Sequence, residues 1–100
     1  MMLHTVNKSP FERDALDSCL GHALPGSTVL LIEDGVYAAL KGAATSARVQ
    51  EAMKKVKFCA LLPDVEMRGL QGRVMDGIEM VDYGGFVDLV TKHSKVQSWL

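Results

Sequence analysis

Residues 29–40 read Val29-Leu30-Leu31-Ile32-Glu33-Asp34-Gly35-Val36-Tyr37-Ala38-Ala39-Leu40. The first four form a continuous apolar run bounded by turn formers, the pattern of a strand buried on both faces. Asp34-Gly35 matches a hairpin turn, but Val36 to Leu40 is helical in composition. The dipeptide therefore reads as a strand-to-helix turn with Asp34 as N-cap. Lys57-Phe58-Cys59-Ala60-Leu61-Leu62 repeats the design, with Pro63-Asp64 as break and cap before a helical turn or two over Val65 to Leu70. Strand then helix, twice over, is the signature of an α/β domain with a mostly parallel sheet. Right-handed crossovers place helices on both faces, giving three layers.

The flanking sequence extends the same alternation. Leu3 to Val6 predicts a first strand, ended by Asn7-Lys8-Ser9-Pro10. Ser9 as N-cap, Pro10 at the first helical position and Glu12 three residues after the cap form a capping box, so a helix is expected from Pro10 to about Leu24. A second helix is expected around Ala47 to Lys55, and a fourth strand over Ile78 to Asp82. Gly84-Gly85 then opens a helix from Phe86 to about His93, and Val96 to Leu100 is a short fifth strand or an extended tail. The sheet has four to five strands, with Val29–Ile32 and Phe58–Leu62 central. Strand order is not contained in the pattern.

Composition bounds the function. The chain has 100 residues, 48% hydrophobic and 23% charged, with a formal net charge of −1. That length suits one domain over residues 1–100, and the balance is that of a globular protein. Near-neutral charge argues against a nucleic-acid binder working through a basic field. No apolar run approaches the roughly 18 residues of a membrane span. The N-terminal residues lack the basic region and long apolar stretch of a signal peptide. Two cysteines far apart in sequence suggest no disulfide scaffold, so a reducing cytoplasm is expected.

Several chemistries are absent as motifs: G-x-x-x-x-G-K-[ST], G-x-G-x-x-G, C-x-x-C, H-E-x-x-H and G-x-S-x-G do not occur. Glu33, Asp34, Asp64 and Asp82 all fall at C-terminal ends of predicted strands, the edge where open α/β sheets bind ligands. Together they form a candidate Mg²⁺ set, and Gly84-Gly85 a candidate phosphate site. Capping and turn formation explain the same residues without a ligand. On a helical wheel Phe11, Ala15, Leu16, Cys19 and Ala23 share one arc, which makes Cys19 a core residue by pattern. His22 follows one turn later, where an imidazolium would favour a reactive thiolate. Cys59, in the middle of an apolar strand, reads as core. His4 and His93 have no functional role by pattern, and Trp99 is either an interface anchor or folded back onto its own domain.

Four blocks in order resemble one family. Leu3-His4-Thr5-Val6-Asn7-Lys8-Ser9-Pro10-Phe11 looks like the N-terminus of the sulfur-relay subunits DsrH and TusB. Leu30 to Ala39 resembles the family's strand followed by an E/Q-D-G-V segment. Asp82-Tyr83-Gly84-Gly85-Phe86-Val87-Asp88-Leu89 and Val96-Gln97-Ser98-Trp99-Leu100 complete the match. The resemblance implies a DsrE-like α/β fold. It also implies two sister subunits, DsrE/TusD-like and DsrF/TusC-like, in a heterohexamer that passes persulfide sulfur along cysteines to a downstream acceptor protein.

In the Tus branch the sulfur ends in 2-thiouridine at the tRNA wobble position; in the Dsr branch the complex serves intracellular sulfur oxidation. Glu12 to Leu20 is similar to the DsrH form, which carries a cysteine at the Cys19 position that TusB forms usually lack. The resemblance therefore makes Cys19 the expected persulfide carrier, with His22 as possible thiolate support. It requires no metal or organic cofactor, no membrane and no direct nucleic-acid contact. A non-catalytic interaction subunit of the same complex is the alternative reading.

Overall fold

The computed structural model describes residues 2–11 and 14–99. Five strands are present: β1 (Met2–Val6), β2 (Thr28–Leu31), β3 (Lys57–Leu61), β4 (Glu79–Val81) and β5 (Lys95–Trp99). The helices are α1 (Ala15–His22), α2 (Ser46–Ala52), α3 (Leu62–Met67) and α4 (Tyr83–Lys92). All pairings are parallel, in the order β4-β3-β2-β1-β5. From β1 to β4 the chain steps steadily to one side of the sheet. It then returns across the whole sheet to place β5 beside β1.

The two apolar clusters record where the connections run. Val6, Val29, Leu31, Phe58 and Ala60 pack with residues of α1, α2, α3 and the 3₁₀ segment Glu33–Ala39. On the opposite face Leu3, Leu30 and Cys59 pack with Phe86 and Leu89 of α4. Period-two alternation along each strand produces this division, since successive side chains point to opposite faces. Every residue of β2 is buried, as is all of β3 after Lys57. Both segments are internal in the sheet, which agrees with their continuous apolar character.

Several boundaries differ from the sequence expectation. Pro10 and Phe11 form a turn, and α1 starts at Ala15 rather than Pro10. Ser9 Oγ accepts the Phe11 N–H at 3.2 Å, a bond two residues ahead that closes a local turn instead of capping a helix. Glu12, the other half of the expected capping box, lies outside the described residues. Phe11 is consequently not on the helical arc and is exposed. The helix also ends early, because Leu24 precedes Pro25 and is biased away from α geometry; Ala23 is already extended.

Downstream, the segment after β2 is 3₁₀ rather than α-helix, with Ile32 and not Asp34 at its N-cap position. Asp64 lies within the first turn of α3, whose N-cap position is Leu61. Asp82 caps α4 by accepting the Gly85 N–H at 2.7 Å, so that helix begins three residues before Phe86. Residues 95–99 resolve the remaining ambiguity as a strand on the β1 edge.

Gly35 fixes how the 3₁₀ segment meets the sheet. A Cβ there would lie 2.0 Å from the Val6 carbonyl oxygen, the same oxygen that accepts the Ile32 N–H at 3.0 Å. By contrast, a Cβ at Gly21 in α1 meets nothing within 4 Å. Gly35→Ala should lose on the order of 1–3 kcal/mol through overpacking. Gly21→Ala should gain about 0.5–1 kcal/mol through helix propensity. Urea unfolding of both variants measures the contrast, and equal effects at the two positions would contradict it.

Candidate functional site

The residues singled out by sequence do not gather at one point. Cys19 sits in the middle of α1 with 0% exposure, inside the cluster that includes Leu16, Val6 and Val36. Burial pushes its thiol up to about 12, because desolvation disfavours the thiolate. A thiol of that pKa is ionised to about one part in 10⁵ at pH 7. Cys59 occupies the opposite side of the sheet beneath α4 and is equally buried. Its pKa is also raised, first by burial, with Lys57 lowering it and Glu79 raising it.

His22 is exposed, and it serves its own helix. Its Nδ1 lies 2.7 Å from the Ser18 carbonyl oxygen. A carbonyl only accepts, so this nitrogen carries the proton. The ring rests 5.4 Å from that of Trp99. His22 and Cys19 thus share α1, but the imidazole is engaged with Ser18 and Trp99, and burial sets the state of the thiol.

Trp99 folds back onto its own domain. Its Nε1–H donates to His4 Nδ1 at 3.0 Å, and the two ring centroids are 6.2 Å apart. His4 is only 2% exposed. His4 has no role by pattern, because one histidine in a strand gives no sign of a partner 95 residues away. The parallel β1–β5 pairing creates the contact by setting Val6 opposite Trp99. His93 has a comparable role on the other face. Its Nδ1 is 2.7 Å from the Leu89 carbonyl and its Nε2 is 3.0 Å from Thr28 Oγ1, tying the end of α4 to β2.

The strand-end carboxylates of Asp34, Asp64 and Asp82 are engaged by the protein itself. Asp34 Oδ1 accepts from Arg68 Nε at 3.1 Å and from Nη2 at 2.8 Å. Arg68 Nη1 also donates to the Asp64 carbonyl at 3.0 Å. Asp64 Oδ2 accepts the Glu33 N–H at 2.7 Å. Glu33 has φ 50°, a left-handed conformation that a glutamate adopts only when its surroundings hold it. The acidic residues therefore secure the turn after β2. Among the described residues no three His, Cys, Asp or Glu side chains converge on a point that would hold a metal ion. Asp82, bonded to Gly85, fills the position that a phosphate would take at the start of α4. Arg68 has no role by pattern, although its place four residues after Asp64 puts the two on one helix face.

These features meet a known family. Residues 8–96 match the model described as DsrH like protein. The chain belongs to the DsrH-like family. Relatives in this family include Protein TusB of Enterobacter sp. (strain 638), 38% identical over 98 residues, covering 98% of this chain and all of the relative. Protein TusB of Pectobacterium parmentieri is 35% identical with the same coverage. The DsrH-like family thus embraces relatives bearing the TusB name.

In fold, the chain is similar to the ychN protein from E. coli, with a TM-score of 0.81 at 17% identity over 97% of each chain. A protein of unknown function, MTH1491 from Methanobacterium thermoautotrophicum, gives 0.76 at 17% identity over 97% of this chain and 96% of that one. At such identities these likenesses establish the architecture alone. No helix among the described residues is long and apolar enough to cross a membrane.

Two outcomes test the structural reading of the acidic edge. Arg68→Ala should cost about 1 kcal/mol, since Asp34 is half exposed and solvent screens the pair. Millimolar Mg²⁺ should leave the melting temperature unchanged, whereas a saturable rise would restore the metal reading.

Proposed function

We propose that this chain is a subunit of a cytoplasmic sulfur-relay complex and assists the transfer of persulfide sulfur between the cysteines of other subunits. Membership of the DsrH-like family and the TusB name of the relatives support the relay. The observation that carries the assisting role is the complete burial of both thiols. Sulfur moves by direct attack of one sulfur on another, so a carrier must be both ionised and reachable. Against a carrier role for Cys19 stand its full burial and a thiol pKa that burial pushes up to about 12.

Sister subunits of the DsrE/TusD-like and DsrF/TusC-like kinds, joined with this chain in a heterohexamer, are the proposed partners, with a separate acceptor protein downstream. The exposed apolar side chains of Tyr83, Val87 and Val90 on α4, and of Val96 on β5, support a life in association. The name shared by the relatives favours the branch that ends in tRNA 2-thiouridine. The competing reading makes Cys19 the carrier and His22 its support, and requires α1 to lift from the sheet within the assembly.

Co-purified complex treated with a persulfide donor and analysed by mass spectrometry separates the two. The expected result is added sulfur on a sister subunit and none on this chain, with relay unchanged in Cys19→Ala apart from a loss of stability of about 1–3 kcal/mol. A sulfur atom added to wild type and to Cys59→Ser, but not to Cys19→Ser, would make Cys19 the carrier.

A further inference from the structure

We propose that His4 and Trp99 form a proton-operated latch holding the last strand, β5, on the sheet. The inference is independent of the relay reading. Strand β5 is an edge strand, and of its five residues only Trp99 is even partly buried. Besides backbone pairing with β1, side-chain bonds among the described residues secure it: Thr5 Oγ1 to Ser98 Oγ at 3.2 Å and Trp99 Nε1 to His4 Nδ1 at 3.0 Å. The second places an acceptor nitrogen of a buried imidazole against an indole N–H that can only donate. It exists only while His4 is neutral, with its proton on Nε2. Protonation puts a hydrogen on Nδ1, so two donors face each other and the bond is lost.

Among the described residues, the groups that act on His4 disfavour its charge. Its lateral neighbours, Val29 on β2 and Gln97 on β5, are uncharged. From α1 comes His22, whose charge opposes that of His4. Burial first, and His22 second, hold the His4 pKa below its ordinary value. A group whose folded pKa is depressed is protonated more readily in the released state. The latch is therefore closed above about pH 6.5, the ordinary histidine value, and weakens as pH falls below it. Release frees the edge of β1, and an unpaired strand edge is a template for pairing with another chain.

Trp99 is the sole tryptophan, so its fluorescence reports the latch directly. Between about pH 8 and about pH 5, emission should move to longer wavelength. Over the same range the amides of β5 should exchange roughly tenfold faster after correction for intrinsic rates, while those of β2 and β3 stay protected. His22→Ala should shift the midpoint to higher pH. His4→Gln, which keeps an acceptor that does not titrate, should abolish the transition. Should His4→Gln fail to fold, Trp99→Phe serves instead and should remove the pH dependence of β5 exchange. The proposal is overturned by pH-independent emission and exchange, by a transition that survives in His4→Gln or Trp99→Phe, or by β2 and β3 opening in step with β5.

Discussion

The two-faced burial of β2 is the constraint on which the rest of the molecule depends. Thr28, Val29, Leu30 and Leu31 have no solvent-facing side. Val29 and Leu31 need a cover on one face and Leu30 on the other, so helices must reach both. Fully burying each such side chain is worth about 1.5–3 kcal/mol, a large share of the net stability of a small domain. Parallel neighbours on either side satisfy the backbone of β2. The crossover connections that parallel pairing demands then supply the covering helices. The approach of Gly35 to the Val6 carbonyl locks the end of this arrangement, because the chain leaving β2 has to pass over the end of β1.

From that constraint follows the state of the two thiols. Cys19 is on the helical face that covers Val29 and Leu31, and Cys59 is on the strand face that α4 covers. Each is held inside an apolar layer, on opposite sides of the sheet. Among the described residues neither has a charged partner strong enough to offset desolvation: His22 is committed to Ser18, and the favourable effect of Lys57 on Cys59 is opposed by burial and by Glu79. At Cys19 the packing that the fold demands keeps the thiol buried and its pKa raised.

The fold was legible wherever burial is two-sided. The runs at Val29–Ile32 and Phe58–Leu62 required internal strands, and the alternation of elements required crossover helices. Less legible were features decided by single hydrogen bonds or by long-range register. Ser9 has the spacing of a capping box, yet its hydroxyl closes a turn at Phe11, so α1 begins later than the motif implies. Asp34 and Asp64 look like caps because they follow strands. Their real partners, Arg68 and the strained Glu33 N–H, come together only through the fold. The wheel placed Cys19 in the core correctly, while the family resemblance gave it a chemical role that no wheel can test. His4 and Trp99 lie at opposite ends of the chain and meet only because β5 adds to the free edge of β1.

The inaccessibility of Cys19 is measured by native-state alkylation. The chain alone and the assembled complex are exposed to iodoacetamide, and modification of each cysteine is followed by mass spectrometry of its peptides. The account predicts that Cys19 and Cys59 both react at rates limited by opening of the fold, accelerating together when a core substitution such as Leu30→Ala lowers global stability. Rapid modification of Cys19 in the folded complex, unaffected by that substitution and with Cys59 still protected, would contradict it.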